Sequence, residues 1–394
     1  MTTNEHNTKK RKILIDGLPL LSPLAGIGRY TYENAKRFSN KRELEIWFDY
    51  GFHSRTLYSD ETQIQSMPEK NIRLLKRIIN KVFFDKKIVR HIKSFLAFFS
   101  QNRYDIYWQP NFIPVNGVKS KNIVTSVHDF SFMLQPQWHP KERLEYFNEN
   151  FLKNIKNSDH IITGSYYTKQ EILKYLDFPD EKITVIYHGV DHTLFRLCPS
   201  ESLIQTKKKY DLPDSFVLFV GSIEPRKNLL ILLKAYTQLA EDIKQNLPLV
   251  LVGFKGWQNK EIMQEIQYNK KHVIYLGYLT DEELAHVYNL ASIFVYPSLY
   301  EGFGIPPLEA MACGTPVIAS HVSSLPEVCK DAALYIDPEN STNLEQVITA
   351  LYKDKALQEK LRLKGLEHAK QFTWEKSSKA HFELFNSLMM KEVD

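Results

Sequence analysis

Two glutamates, Glu301 and Glu309, stand at either end of a Gly/Pro-rich turn in the run Tyr296-Pro-Ser-Leu-Tyr-Glu-Gly-Phe-Gly-Ile-Pro-Pro-Leu-Glu. The apolar residues Ile293 to Tyr296 read as a strand that ends in this turn. The paired prolines Pro306 and Pro307 suit the opening of a helix, where a missing N–H has no partner to lose. Glu309 is then expected in the first helical turn, beside unpaired N–H groups and the positive end of the dipole. Held ionised there, its carboxylate can accept two hydrogen bonds from a diol such as that of a ribose. Gly302 and Gly304 would let a ligand approach the backbone closely. The same residues also have a plainer reading, in which Glu309 only complements the helix dipole and Glu301 is a turn residue.

A second chemical cluster lies upstream. Ser215 to Val220 reads as a strand, and Gly221-Ser-Ile-Glu-Pro-Arg226-Lys227-Asn leads from it into a helix over 229–239. Two adjacent cations beside free backbone N–H groups are what a diphosphate needs where no metal supplies the charge. No Asp-x-Asp metal clamp occurs in the chain. Nearer the start, a strand over Lys12 to Asp16 feeds a loop containing Gly26-Ile-Gly28-Arg29-Tyr30. Glycines at such a turn suit an anion, but Thr31 stands where the dinucleotide fingerprint needs its third glycine, which argues against a dehydrogenase. A further strand, Asn122 to Val127, ends in His128-Asp129, at the sheet end where α/β proteins bind ligands. His128 can move a proton, hydrogen-bond a sugar hydroxyl, or serve structure alone.

Glu301-x7-Glu309 followed by Ala-Met-Ala-Cys-Gly-Thr-Pro-Val resembles the nucleotide-sugar signature of retaining GT-B glycosyltransferases of family 4. The resemblance implies that Glu309 binds the donor ribose and that Glu301, with Gly302, Phe303 and Gly304, borders the donor sugar and departing phosphate. It assigns Arg226 and Lys227 to the diphosphate, Gly277, Tyr278 and Leu279 to the base, and His128 to the transferred sugar. Gly26 and Gly28 would close over the diphosphate, with Arg29, Tyr30, Asp129 and Trp138 on the acceptor side. His128, Glu301, Arg226 and Lys227 are then the catalytic set, with no metal and no cofactor beyond the nucleotide-sugar co-substrate. Asp16-Gly-Leu-Pro-Leu, the Gly26 loop and His128-Asp-Phe-Ser-Phe with Pro136 to Pro140 are similar to bacterial mannosyltransferases. Those enzymes extend O-antigen and related surface polysaccharides from GDP-mannose. A transferase of the same family using a UDP- or other nucleotide sugar, a nucleotide-sugar epimerase or hydrolase on the same frame, and a non-enzymatic sugar-binding protein are the alternatives.

These stretches need scaffolds that aim strand ends at one cleft. Strands alternating with helices in two blocks predict an α/β protein with two parallel-sheet, Rossmann-like domains. The expected bounds are 1–195 for an acceptor-side domain, 196–214 for a linker and 215–374 for a nucleotide-sugar domain. By resemblance, a last helix over 375–394 crosses back onto the first domain. The 394 residues suffice for two cores. Three cysteines without a Cys-x-x-Cys pair argue against a disulfide framework or zinc site and suit a reducing cytoplasm. No apolar run of about 20 residues offers a membrane span. Residues 70–103 carry ten cations against Asp85 alone, with apolar residues at helical spacing. This predicts basic amphipathic helices that either suit the anionic inner face of the cytoplasmic membrane or pack on their own domain. No nucleic-acid-binding module accompanies them.

Overall fold

The computed structural model describes residues 10–21, 26–58 and 101–390. The basic stretch expected over 70–103 therefore lies outside the described residues, apart from its last three positions. Each block of alternating strands and helices forms its own sheet. The first contains β1 (Arg11–Asp16), β2 (Leu44–Asp49), β3 (His53–Ser54), β4 (Tyr104–Gln109), β5 (Ser120–Ser126), β6 (His160–Thr163) and β7 (Ile183–Val185). Their order is 3-2-1-4-5-6-7, and among the described residues only the short edge strand β3 runs antiparallel. The second contains β8 (Val217–Val220), β9 (Leu249–Val252), β10 (Val273–Gly277), β11 (Ile293–Tyr296), β12 (Val317–Ser320) and β13 (Ala333–Ile336), ordered 10-9-8-11-12-13. All its pairings are parallel.

Parallel strands covered by helices on both faces have no polar side, which is why β8, β9 and β11 read as unbroken apolar runs and are buried throughout. Parallel pairs also require crossovers, and the helices between strands supply them. The strand ends therefore carry the polar loops. Those after β5 and those after β9 and β11 meet: the Tyr300 hydroxyl accepts from the Phe130 N–H at 2.9 Å, and the Trp257 indole N–H donates to the Trp138 carbonyl.

The chain passes between the domains twice, and the passages lie side by side. Val190 bridges Thr373 in parallel, the Val190 N–H donates to the Phe372 carbonyl at 3.2 Å, and the His192 Nε2–H donates to the same carbonyl at 3.1 Å. Gly189 is required here, because a Cβ would sit 2.2 Å from the Trp374 nitrogen. Beyond this point the helix Trp374–Met390 packs on the helix Ile27–Phe38 of the first domain, as expected. Phe385 is fully buried with Phe38 and Trp108. His381 donates from Nδ1 to the Ser377 carbonyl, so its Nε2 accepts the Tyr30 hydroxyl at 2.6 Å. Burial holds that imidazole down at about 4, consistent with this neutral tautomer.

Two features differ from the sequence expectation. The stretch 196–214, whose composition suggests a linker, contains the helix Ser200–Lys209. It packs on the helix Asp281–Leu290, with Thr206 Oγ1 at 2.8 Å from His286 Nδ1 and Lys209 at 2.6 Å from Glu283. Leu18–Leu21 forms a 3-10 turn where a plain loop is expected.

Candidate active site

The turns after β8 and β11 are laced into one unit. After β8 the chain makes a 3-10 turn, Pro225–Lys227, and Asn228 adopts a left-handed conformation (φ 56°). The Asn228 amide donates to the carbonyls of Pro297 at 3.0 Å and Pro338 at 2.8 Å, and the Leu299 N–H donates to the Arg226 carbonyl at 2.9 Å. This backbone frame aims both cations at one carboxylate. Arg226 Nη1 lies 2.7 Å from Glu301 Oε2 and Lys227 Nζ lies 2.6 Å from Glu301 Oε1. Arg226 also meets Glu224 at 2.9 Å, while Lys227 donates to the Tyr296 hydroxyl at 2.6 Å.

All of these groups are largely withdrawn from water. Burial opposes ionisation of Glu301, but Arg226 and Lys227 outweigh it and hold the carboxyl at about 2. Burial likewise opposes the Arg226 charge, and Glu301, Glu224 and Asp129 overcome it and raise that group. Lys227 is pushed down by burial and by its Arg226 neighbour, with Glu301 acting against both. The net arrangement is two cations on one ionised carboxylate, with Glu224 closing the far side.

Glu309 behaves differently from its sequence expectation. The helix begins at Ile305, so Glu309 lies in the second turn rather than the first, and it is buried. Away from the free N–H groups, burial dominates and lifts its carboxyl to about 7, with Arg29 pulling the other way. The expectation of a firmly ionised Glu309 is therefore corrected to a carboxyl poised near neutrality. Gly304 caps this helix at φ 98°, a conformation that suits glycine, and Leu325 packs where its Cβ would be. Arg29, expected on the acceptor side, instead reaches across to Asp281 at 2.5 Å and feels Glu309. Gly277 has open space beside it (φ 74°), Tyr278 is exposed, and Leu279 is buried in the core. Gly26 caps the helix Ile27–Phe38 at φ 50°, with nothing within 4 Å of where a Cβ would stand, and Gly28 is buried in that helix.

Several expected ligand contacts are contacts between the domains. A Cβ on Gly302 would lie 1.8 Å from the His128 carbonyl oxygen, so this glycine admits the other domain rather than a ligand. The Gly302 carbonyl accepts from Ser165 Oγ at 2.7 Å and Thr168 Oγ1 at 3.2 Å. Phe303 is buried against His188 and Phe372, with ring centroids 4.8 and 6.0 Å away. Tyr30, expected at the acceptor side, is buried between Ser126 and His381. Asp129 accepts from the Ser131 N–H and hydroxyl, and Trp138 is half-buried against the Trp257 loop. His128 Nε2–H donates to the Pro110 carbonyl at 2.7 Å, and burial lowers this imidazole. It is therefore a neutral ring whose Nδ1 is a hydrogen-bond acceptor.

Sequence reasoning missed the residues that close the cleft. Both oxygens of Glu327 cap the helix Tyr166–Tyr175 across the interface, accepting the N–H groups of Tyr166 at 2.8 Å and Tyr167 at 2.9 Å. Tyr300 donates to Glu171, whose carboxyl burial lifts to about 7. Proximity of Tyr300 to Glu301 was the available signal; nothing in the local sequence pairs Glu327 with residue 166. Among the described residues, no group of three or more His, Cys, Asp or Glu side chains is disposed to hold a metal ion.

Two facing parallel-sheet domains, with paired cations and carboxylates at their strand ends, define the GT-B class of fold. A solved sucrose-phosphate synthase from Thermosynechococcus elongatus superposes with a TM-score of 0.67 at 19% identity, covering 96% of this chain and 99% of that one. The Glycosyltransferase Family 4 model matches residues 24–194, and the Glycosyl transferases group 1 model matches residues 201–368. O-antigen chain mannosyltransferase B of Escherichia coli is 32% identical over 92% of this chain and 96% of its own length. The serotype-specific mannosyltransferase WbdA of the same species is 32% identical over 72% of this chain, which spans only 36% of that longer protein. The chain belongs to the family 4, group 1 glycosyltransferases.

Closure should depend on the absence of a side chain at 302. Gly302→Ala introduces about 1–3 kcal/mol of overpacking at the interface. Small-angle scattering of this variant, and of Glu327→Ala, is expected to give a larger radius of gyration than the parent. Profiles identical to the parent would show that these contacts do not hold the domains together.

Proposed function

We propose that this enzyme transfers mannose from GDP-mannose to a saccharide acceptor in O-antigen-type surface polysaccharide synthesis, with retention of anomeric configuration and without a divalent metal. The observation that carries the chemistry is the convergence of Arg226 and Lys227 on one buried site beside Glu301. The mannose assignment rests on the near full-length relation to the O-antigen chain mannosyltransferase.

In this reading the donor diphosphate becomes the new partner of Arg226 and Lys227. As the bond from the anomeric carbon to the phosphate oxygen breaks, negative charge grows on the diphosphate and positive character on the sugar. Fixed cations lower the energy of the first, and the ionised Glu301 favours the second. The acceptor hydroxyl attacks from the face the diphosphate leaves, and its proton passes to the departing phosphate oxygen. His128, a neutral ring held by Pro110, offers Nδ1 to a sugar hydroxyl. Glu309 receives the ribose diol, with Arg29 and Asp281 closing that end and Tyr278 exposed beside the base. The basic segment 70–103 would bring the enzyme to an anionic membrane surface carrying the acceptor. Flotation with vesicles containing anionic lipid checks this, and equal recovery with neutral vesicles would count against it.

Incubation with GDP-mannose and a mannosyl acceptor in EDTA should yield a product retaining the donor's anomeric configuration, read by NMR. Arg226→Ala should lower kcat by about 100- to 1,000-fold with an unchanged circular dichroism spectrum. Activity abolished by EDTA and restored by a divalent ion, or a near-normal Arg226→Ala enzyme, would refute the mechanism.

The poised carboxyl gives a pH test. With its group at about 7, Glu309 is mostly protonated at pH 6 and mostly ionised at pH 8. If the carboxylate form holds the ribose, GDP affinity should rise by about tenfold between those values and flatten above them. Glu309→Gln removes that titration while leaving Glu171, so its affinity should be weaker and nearly independent of pH. An unaltered slope in the variant would assign the titration elsewhere.

A further inference from the structure

A cavity of about 700 Å³ lies between the first-domain segment Gln135–Trp138 and the carboxyl ends of β12 and β13, and none of the groups assigned to donor chemistry lines it. We infer that this cavity is a subsite for the neutral oligosaccharide chain of the acceptor, beyond the ring that reacts. The inference deepens the glycosyltransferase reading and rests on it.

The lining has the chemistry of a sugar site. Trp138 and Tyr335 offer aromatic surface to the apolar faces of pyranose rings, and Gln135, His321, Asp337 and Glu339 offer polar atoms to hydroxyls. Among the described residues no Lys or Arg contributes to the wall, whereas Asp337 and Glu339 make it acidic. A phosphate or lipid diphosphate would meet like charge there, and an uncharged polyol would not. The volume falls in the usual range for ligand sites, and both domains contribute to it, as expected for a ligand that enters with the cleft assembled.

The walls are fixed before any ligand arrives. The Tyr335 hydroxyl donates to the Lys330 carbonyl at 2.6 Å, and the ring stands edge-on to His321 with centroids 5.2 Å apart. Asp337 accepts the Glu339 N–H at 2.9 Å, which sets the turn after β13. The cavity is also joined to the reaction centre through one short segment. Val322 lines it, the next residue, Ser323, accepts the Glu301 N–H at 2.9 Å, and Ser324 donates to the Glu301 carbonyl at 2.8 Å. Ser323 takes a left-handed φ of 49° to do so. Leu299, two residues before Glu301, lines the cavity as well. A chain seated here would therefore press on the backbone that positions Glu301.

Calorimetric titration of the full-length protein with unbranched mannose oligosaccharides of increasing length, run without donor, tests the cavity directly. Affinity should increase with chain length in the parent. Glu339→Ala, an exposed change, and Tyr335→Ala should each remove most of that gain, at least tenfold for the longest chain. In transfer assays the same variants should raise KM for long acceptors while leaving the single-ring acceptor unaffected. An affinity independent of length, or one indifferent to both variants, would overturn the inference. Failure of the broader reading would appear separately, as no transfer from any nucleotide sugar, whatever the titration gives.

Discussion

The arrangement rests on two cations and one carboxylate held out of water at the ends of adjacent strands. Removing such charges from solvent costs several kcal/mol per ion, and a broken buried pair costs about 3–5 kcal/mol. The group is therefore tolerable only because Arg226, Lys227 and Glu301 meet in good geometry, with Tyr296 and Glu224 taking the remaining hydrogen bonds. That geometry is imposed by backbone. Asn228 ties its turn to Pro297 and Pro338, and the Arg226 carbonyl receives the Leu299 N–H, so the two turns cannot drift apart. The site thus holds two buried positive charges against one carboxylate in a fixed geometry.

Closure of the cleft depends on the same loop. Glu301 is followed by Gly302, which meets the His128 backbone, and by Phe303, which fills the region beside the two chain passages. Ser165, the N-cap of the helix Tyr166–Tyr175, and Thr168 within it donate to the Gly302 carbonyl, and Glu327 of the second domain caps that helix. The loop presenting the charged cluster is consequently also the loop that registers domain position. Any motion that opens the cleft must part His128 from Gly302, and so separates the strand-end loops of the first domain from the Arg226, Lys227 and Glu301 cluster.

The two glutamates of the signature occupy opposite electrostatic regimes although only seven residues separate them. Glu301 has cations on both oxygens and stays ionised, whereas Glu309 has one bond from Tyr288 at 3.3 Å and the more distant field of Arg29. Burial is common to both; the nearness of opposite charge decides the outcome. One carboxylate is a fixed charge and the other can take or release a proton near neutrality.

Much of the fold is written locally. Unbroken apolar runs bounded by Gly and Pro mark β8, β9 and β11, and Thr280 with Glu283 forms the capping box that their spacing requires. The cation pair at 226 and 227 and the glutamates at 301 and 309 were legible because each sits at a strand-to-helix boundary, and local chemistry fixes such boundaries. What each group touches was not legible. Glu327 reaching Tyr166, Gly302 meeting His128, and Arg29 crossing to Asp281 join residues 161 to 252 positions apart. Such pairings depend on how two independently folded sheets face each other, which no window of sequence encodes. The ionisation of Glu309 fell on the same side of the line: its residue type and place on a helix came from sequence, but its proton affinity follows from burial, which exists only once the chain has packed.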